Sequence, residues 1–167
     1  MGRTDPGSFR DELTWRQIRT QRYAASLAEA VNGQIAELSR TLCARMLAHD
    51  GVDTKELYRE LRSFVRKQCA ERRERVKELL RSRIGGFVSE QAEWLYGRCP
   101  MEPERAYAEE MARDALFGPF SEGCTVEDWP AALFGRVFRA WNAALASAYR
   151  TGVPMRTVVR RMVGGRA

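Results

Sequence analysis

Apolar residues recur every three or four positions along most of this chain, and this period predicts α-helices. A first helix is predicted from about residue 12 to residue 48. Its apolar face comprises Tyr23, Leu27, Val31, Ile35, Leu38, Leu42 and Met46, and Trp15 and Ile18 extend that face upstream. His49, Asp50 and Gly51 end the helix, since glycine readily takes the left-handed conformation found at helix C-termini.

A second helix is predicted to start at Asp53, because Asp53 and Glu56 have the spacing of a capping box. Its buried face opens with Leu57 and Leu61 and closes with Ile84. The pair Gly85 and Gly86 predicts a break there. A shorter helix is expected over residues 87–96, followed by another from Pro103 to about residue 117, where Gly118 and Pro119 end it.

Residues 116–165 contain the clearest helix start and stop signals in the sequence. After a loop at 118–124, Thr125 or Asp128 caps a strongly amphipathic helix, and Asp128 is favoured because Pro130 then falls in the first turn. Gly152 is expected to end this helix. Pro154 then opens a short basic helix that finishes at the double glycine, residues 164–165.

The pattern contains no strand-like alternation, so the predicted fold is all-α with about six helices. Two long N-terminal helices are expected to pack with a C-terminal helix–turn–helix pair. Residues 1–11 are predicted to form a flexible lead-in, and residues 12–165 a single helical domain. Within that domain, residues 12–84 form the long helical pair and residues 87–165 the compact part. A length of 167 residues is enough for one such core.

The chain has a net charge of +6 and a sequence pI near 9.5, which favours anionic partners such as nucleic acid or an acidic protein surface. The middle of the second helix, residues 66–77, is rich in charge and poor in apolar residues. It has two interpretations: an exposed helix laced with salt bridges, or a basic ridge that contacts phosphates. The candidate nucleic-acid-binding residues are Arg66, Lys67, Arg72 and Arg73 on this ridge and Arg156, Arg160 and Arg161 on the last helix.

Catalytic and metal chemistry find little support in the residues. The single histidine, His49, beside a helix-ending glycine offers no base placed for a nucleophile, and no phosphate-binding glycine loop follows a strand. The four cysteines are widely spaced without a C-x-x-C pair, which disfavours a zinc site. The sequence therefore predicts no enzyme, no cofactor and no metal. The polar N-terminus and the absence of a long apolar run predict reduced cysteines and no membrane partner.

The segment 116–165 resembles the phage head-morphogenesis, or minor capsid, family that includes Mu F-like proteins. The shared features are the Gly-x-Thr step at Gly123 to Thr125, the long aromatic and alanine-rich helix, the turn at 151–154, the Val-Val-Arg-Arg-Met core of the last helix and the closing double glycine. In that family a further C-terminal region follows the double glycine, whereas this sequence ends at Ala167, so functions of that region are not carried over.

The resemblance implies a low-copy protein of the virion head and host cytoplasm that binds portal, capsid and scaffold proteins during procapsid assembly. A basic helical protein suits that setting, because it can contact packaged DNA without reading sequence. The clustering of charge makes the seven basic residues named above the hypothetical contacts.

Two other classes remain open. One is a basic all-helical nucleic-acid-binding regulator. The other is a helical protein-interaction module that uses the first long helix to form a homo-oligomer or to bind a partner. Sequence reading by the last two helices is disfavoured, because the first of them is too long and apolar for a compact helix-turn-helix unit.

Overall fold

The computed structural model describes residues 6–49, 55–96, 110–111, 113–115, 117–121 and 124–164. Its helices are α1 (Pro6–Leu47), α2 (Lys55–Tyr96), α3 (Trp129–Thr151) and α4 (Met155–Gly164), and residues 110–111, 113–115 and 117 are also helical. The all-α prediction, with two long N-terminal helices packed against C-terminal helices, is confirmed. Three predicted features lie outside the described residues: the cap Asp53, the helix start at Pro103 and the second glycine of the closing pair, Gly165.

One short extended ribbon interrupts the helices where a loop was predicted. Strand β1 (Pro119–Ser121) pairs antiparallel with β2 (Cys124–Thr125). Gly118 follows the helical residues, and its N–H donates to the Asp114 carbonyl at 2.7 Å. A Cβ atom at Gly118 would lie 2.5 Å from that same carbonyl oxygen. This close approach explains why glycine occupies the junction.

The chain divides into two compact units, Met1–Gly33 and Gln34–Ala167. In the first unit, α1 begins at Pro6, so residues 6–11 are helical and not a lead-in; proline suits the first turn because its missing N–H has no helical partner there. Trp15 is 64% exposed and Ile18 is 44% exposed, so the upstream end of the apolar face is open to solvent.

In the second unit, α2 lies antiparallel to the end of α1 and to α3. Arg45 and Arg72 form ion pairs with Glu60 and Glu37, which sets the register between α1 and α2. The Tyr58 ring stacks on Tyr149, which sets the register between α2 and α3. The buried apolar residues of this unit are Leu38, Leu42, Met46, Leu57, Leu61, Val65, Cys69, Val76, Leu80, Ala92, Phe134, Trp141, Leu145, Ala148, Met155 and Val158.

Helix α2 runs without interruption through Gly85 and Gly86, so the predicted break and the separate helix at 87–96 were wrong. Each glycine weakens a helix interior by only about 1 kcal/mol relative to alanine, which tertiary packing of a long helix can offset. The buried stripe that includes Val76 and Leu80 resumes beyond the pair at Ala92. Tertiary packing of that stripe on both sides of the glycines accounts for the continuous helix.

The boundaries of α3 agree with the sequence prediction. Asp128 is its N-cap residue and Pro130 lies in the first turn. The Asp128 side chain makes no capping bond; instead the Thr125 hydroxyl donates to its carboxylate at 2.8 Å and accepts from its N–H at 3.1 Å. At the other end, Gly152 takes the left-handed conformation with φ 65°, and its N–H bonds the Ala148 carbonyl.

Candidate nucleic-acid interface

The distribution of acidic residues divides the chain into two parts. Asp128 is the last acidic residue, and residues 129–167 contain seven arginines and no aspartate or glutamate. The remaining 128 residues contain 21 of the 28 basic residues and all 22 acidic residues, so they are nearly neutral. The positive charge of the whole chain is therefore concentrated in α3, α4 and the residues after them.

Helix α3 carries its arginines on the side away from the core. Phe134, Trp141 and Leu145 are buried, and their spacing places them on one face of the helix. Arg136, Arg139 and Arg150 are exposed, and the helical period places them on the opposite face. Sequence reasoning missed these three arginines as binding candidates. The signal that identifies them is the complete absence of acidic residues after Asp128, rather than a dense cluster of basic ones.

Helix α4 continues this arrangement. Met155 and Val158 are buried, whereas Arg156, Arg160 and Arg161, which the sequence singled out, are exposed. Arg156 and Arg160 are four residues apart, so they are neighbours on the helix surface. We call the six exposed side chains the arginine surface: Arg136, Arg139, Arg150, Arg156, Arg160 and Arg161.

The predicted ridge on α2 is only partly a surface. Arg66, Lys67 and Arg73 are exposed, and the Arg73 guanidinium pairs with Glu74 at 2.8 Å. Arg72 is only 6% exposed and points toward α1. Its Nη1 donates to the Gln34 side-chain oxygen at 2.9 Å and to a Glu37 carboxylate oxygen at 2.6 Å.

Arg72 therefore does not belong to an exposed ridge, and this part of the sequence interpretation is corrected. The residue occupies a core position on one face of α2, three residues after buried Cys69 and four before buried Val76. A buried guanidinium requires hydrogen-bonding partners, and α1 supplies them. The hydrogen bond from Arg72 lowers the pKa of the Glu37 carboxyl below its ordinary value of 4.5.

Further along α2, two basic side chains form ion pairs with Glu127, an acidic residue in the turn before α3. Lys77 Nζ lies 2.9 Å from Glu127, and the Arg81 guanidinium makes a two-point contact with the same carboxylate. The hydrogen bond from Arg81, with a second from Lys77, holds the pKa of Glu127 at about 2 against an ordinary value of 4.5. Glu127 therefore stays ionised at neutral pH and joins α2 to the start of α3.

Two of the described cysteines, Cys43 and Cys69, offer no reactive thiolate. Burial raises the pKa of Cys69 to about 11 and also raises the pKa of Cys43, so both thiols stay protonated near neutral pH. Cys43, Cys69 and Cys124 are free, and Cys99 lies outside the described residues. Among the residues that the structure describes, no group of three or more histidine, cysteine or acidic side chains is placed to hold a metal ion.

The chain matches no protein-family model, no curated protein and no solved structure. Within the described part of the chain, none of the helices is both long and apolar enough to span a membrane. Charge distribution and side-chain geometry are thus the observations that bear on function.

Proposed function

We propose that this protein is a non-catalytic helical protein that binds the phosphate backbone of DNA through the arginine surface of α3 and α4. The observation that carries the proposal is that all six arginines of this surface are exposed while the segment that holds them contains no acidic residue. Nearby carboxylates normally offset the positive electrostatic potential of surface arginines. Residues 129–167 supply no carboxylate side chain, so the potential of the arginine surface attracts polyanions.

The shape of the surface favours backbone contact over base reading. Arg136 and Arg139 lie on the outer side of a helix of 23 residues, and Arg156 and Arg160 lie on a second helix after a tight turn. Guanidinium groups bind phosphate oxygens through paired N–H donors, and such contacts carry no sequence information. We therefore propose binding that depends strongly on salt and weakly on sequence.

The setting that best suits this activity is assembly of a phage head. The resemblance of residues 116–165 to the head-morphogenesis family supports this part of the proposal, and portal, capsid and scaffold proteins are the proposed protein partners. Mass spectrometry of purified particles from the source strain tests it. Detection at low copy number relative to the major capsid protein is expected, and absence from particles despite abundant expression would contradict a virion component.

The DNA-binding part is tested by fluorescence anisotropy with short duplexes of unrelated sequence. Replacing Arg136, Arg139 and Arg160 with glutamine is expected to weaken binding at least about tenfold, because three phosphate contacts are lost. The matched control removes the same charge from exposed arginines of α1 and α2, namely Arg40, Arg59 and Arg75. Equal losses in both variants would show that only net charge matters and would remove the arginine surface from the proposal.

A helical interaction module is the second candidate, favoured by apolar exposure on α1. Leu13, Trp15 and Ile18 are each more than 40% exposed, whereas large apolar side chains on a soluble helix are usually covered. Self-association through these residues predicts a concentration-dependent mass in light scattering. That mass should fall to the monomer value when Trp15 and Ile18 are replaced by serine; a monomer in the unaltered protein would reject this candidate.

A further inference from the structure

Aromatic rings and arginines alternate along the edge where α2 meets α3. The rings of Tyr58 and Tyr149 stack with centroids 5.1 Å apart and planes inclined by 24°. Eight residues further along α2, the guanidinium carbon of Arg66 lies 5.6 Å from the centroid of the Phe138 ring. Residue numbers rise on α2 and fall on α3 between the two contacts, so both lie along the same antiparallel α2–α3 interface.

This edge carries positive charge without internal compensation. Arg62 is four residues from both Tyr58 and Arg66, so the helical period places all three on the same side of α2. Arg62 and Arg66 are exposed, and neither forms an ion pair within the described residues. The acidic residue closest to Arg62 in sequence, Glu60, is engaged at 2.6 Å by Arg45 of α1.

Tyr149 presents an accessible ring on this edge. Tyr149 is 37% exposed although its ring is stacked against Tyr58, so part of the residue remains open to solvent. Stacking on Tyr58 also limits the freedom of the Tyr149 side chain, which reduces the entropy lost when a second flat group stacks on it. An accessible ring beside unpaired arginines suits a flat, uncharged group attached to a phosphate.

From this geometry we propose that the α2–α3 edge binds an unpaired nucleotide of single-stranded nucleic acid. The base stacks on Tyr149, and the adjoining phosphates contact Arg62 and Arg66. Bases in an intact duplex are stacked on each other and cannot reach the ring, so this site discriminates single strands from duplexes. The inference rests on the proposed function, since it assigns a second, base-contacting site beside the backbone-binding arginine surface.

The test compares three labelled probes by fluorescence anisotropy: an oligothymidylate, an abasic strand of the same length and a short duplex. The unaltered protein should bind oligothymidylate about tenfold more tightly than the abasic strand, because only the former has bases to stack. Tyr149→Ala should remove this preference and leave the affinity for the abasic strand and the duplex unchanged. Tyr149→Phe, which keeps the ring, should retain it.

Equal affinity of the unaltered protein for oligothymidylate and the abasic strand would overturn the inference, and this comparison needs no variant to fold. Unchanged oligothymidylate binding by a folded Tyr149→Ala variant would overturn it too. Salt-sensitive duplex binding that persists in either case shows that the backbone-binding function survives without the stacking site. If the variant with glutamine at Arg136, Arg139 and Arg160 binds the duplex as tightly as the unaltered protein, the proposed function is rejected.

Discussion

Helix α2 and the α3–α4 pair are both rich in arginine, but they use it differently. Helix α2 contains 11 basic and 7 acidic residues, and it pairs several basic side chains with carboxylates on α1, on itself and on the turn before α3. Helices α3 and α4 contain six arginines and no acidic residue. The density of basic residues in a sequence therefore says less about the net charge of a surface than the absence of acidic residues near them.

The difference also separates structural from surface roles. Arg72 of α2 is buried and bonded to two residues of α1, whereas Arg160 of α4 is exposed. Removing the Arg72 guanidinium leaves a cavity and unpaired polar groups in the interior. Removing the Arg160 guanidinium leaves neither, because that side chain is exposed. The free energy of unfolding of arginine variants should therefore separate two classes: buried arginines, whose loss destabilises the protein, and exposed arginines, whose loss does not.

The largest expected effect is that of Arg72→Ala. We expect it to lower the free energy of unfolding by about 2 kcal/mol, because a buried hydrogen-bonded side chain is lost. Arg73→Ala and Arg160→Ala, at exposed positions, should change it by no more than about 0.5 kcal/mol. Urea unfolding with a constant m-value provides the measurement. Similar losses at all three positions would remove the distinction between the two classes.

The next effect concerns Glu127, which neutralises Lys77 and Arg81 of α2. Its pKa is lowered to about 2 in the folded protein, so its contribution is fully present above its ordinary value of 4.5 and is lost as pH falls toward 2. Glu127→Gln should cost about 1 kcal/mol at neutral pH, a modest value because Lys77 and Arg81 are partly exposed.

The pH profile distinguishes this role from a general effect of the substitution. The difference in melting temperature between Glu127→Gln and the unaltered protein should narrow as pH falls from 4.5 toward 2. Glu78→Gln, at an exposed position of α2 for which no ion pair is seen among the described residues, is the control and should have little effect at any pH. A difference that stays constant with pH would contradict the assigned ion pairs.

The smallest effects contrast a glycine in α2 with one at the α3–α4 turn. Gly152 has φ 65°, so Gly152→Ala should destabilise the protein by about 1 kcal/mol through backbone strain. At Gly86, inside α2, a Cβ would meet nothing within 4 Å, so Gly86→Ala should stabilise it by about 0.5–1 kcal/mol. Thermal unfolding of both variants shows whether each substitution raises or lowers the stability of the protein. A stabilising Gly152→Ala would mean that the turn does not need a left-handed residue.

Local chemistry in the sequence was enough to predict the α3–α4 region. Asp128 and Pro130 marked the start of α3 and Gly152 its end, because capping and left-handed geometry depend on the residues at those positions. The all-α class followed from the apolar period. These features are set within a few residues, so no knowledge of distant contacts is needed to predict them.

Features that depend on distant contacts were not predictable in the same way. The continuity of α2 through Gly85 and Gly86 depends on packing along its whole length, which outweighs a local helix-breaking tendency. The burial of Arg72 depends on Gln34 and Glu37, more than thirty residues away. The outward face of α3 was not predictable for another reason: Arg136 and Arg139 stand among apolar residues and form no dense basic cluster in the sequence.

The most direct test of the account is the salt dependence of duplex binding. The logarithm of the association constant is measured against the logarithm of salt concentration for the unaltered protein and for the two triple-glutamine variants. Loss of Arg136, Arg139 and Arg160 should reduce the steepness of that line by about 2 to 3, one counterion release per lost phosphate contact. Loss of Arg40, Arg59 and Arg75 should leave the slope unchanged. Equal slopes for the unaltered protein and the first variant would contradict the claim that the arginine surface holds the DNA backbone.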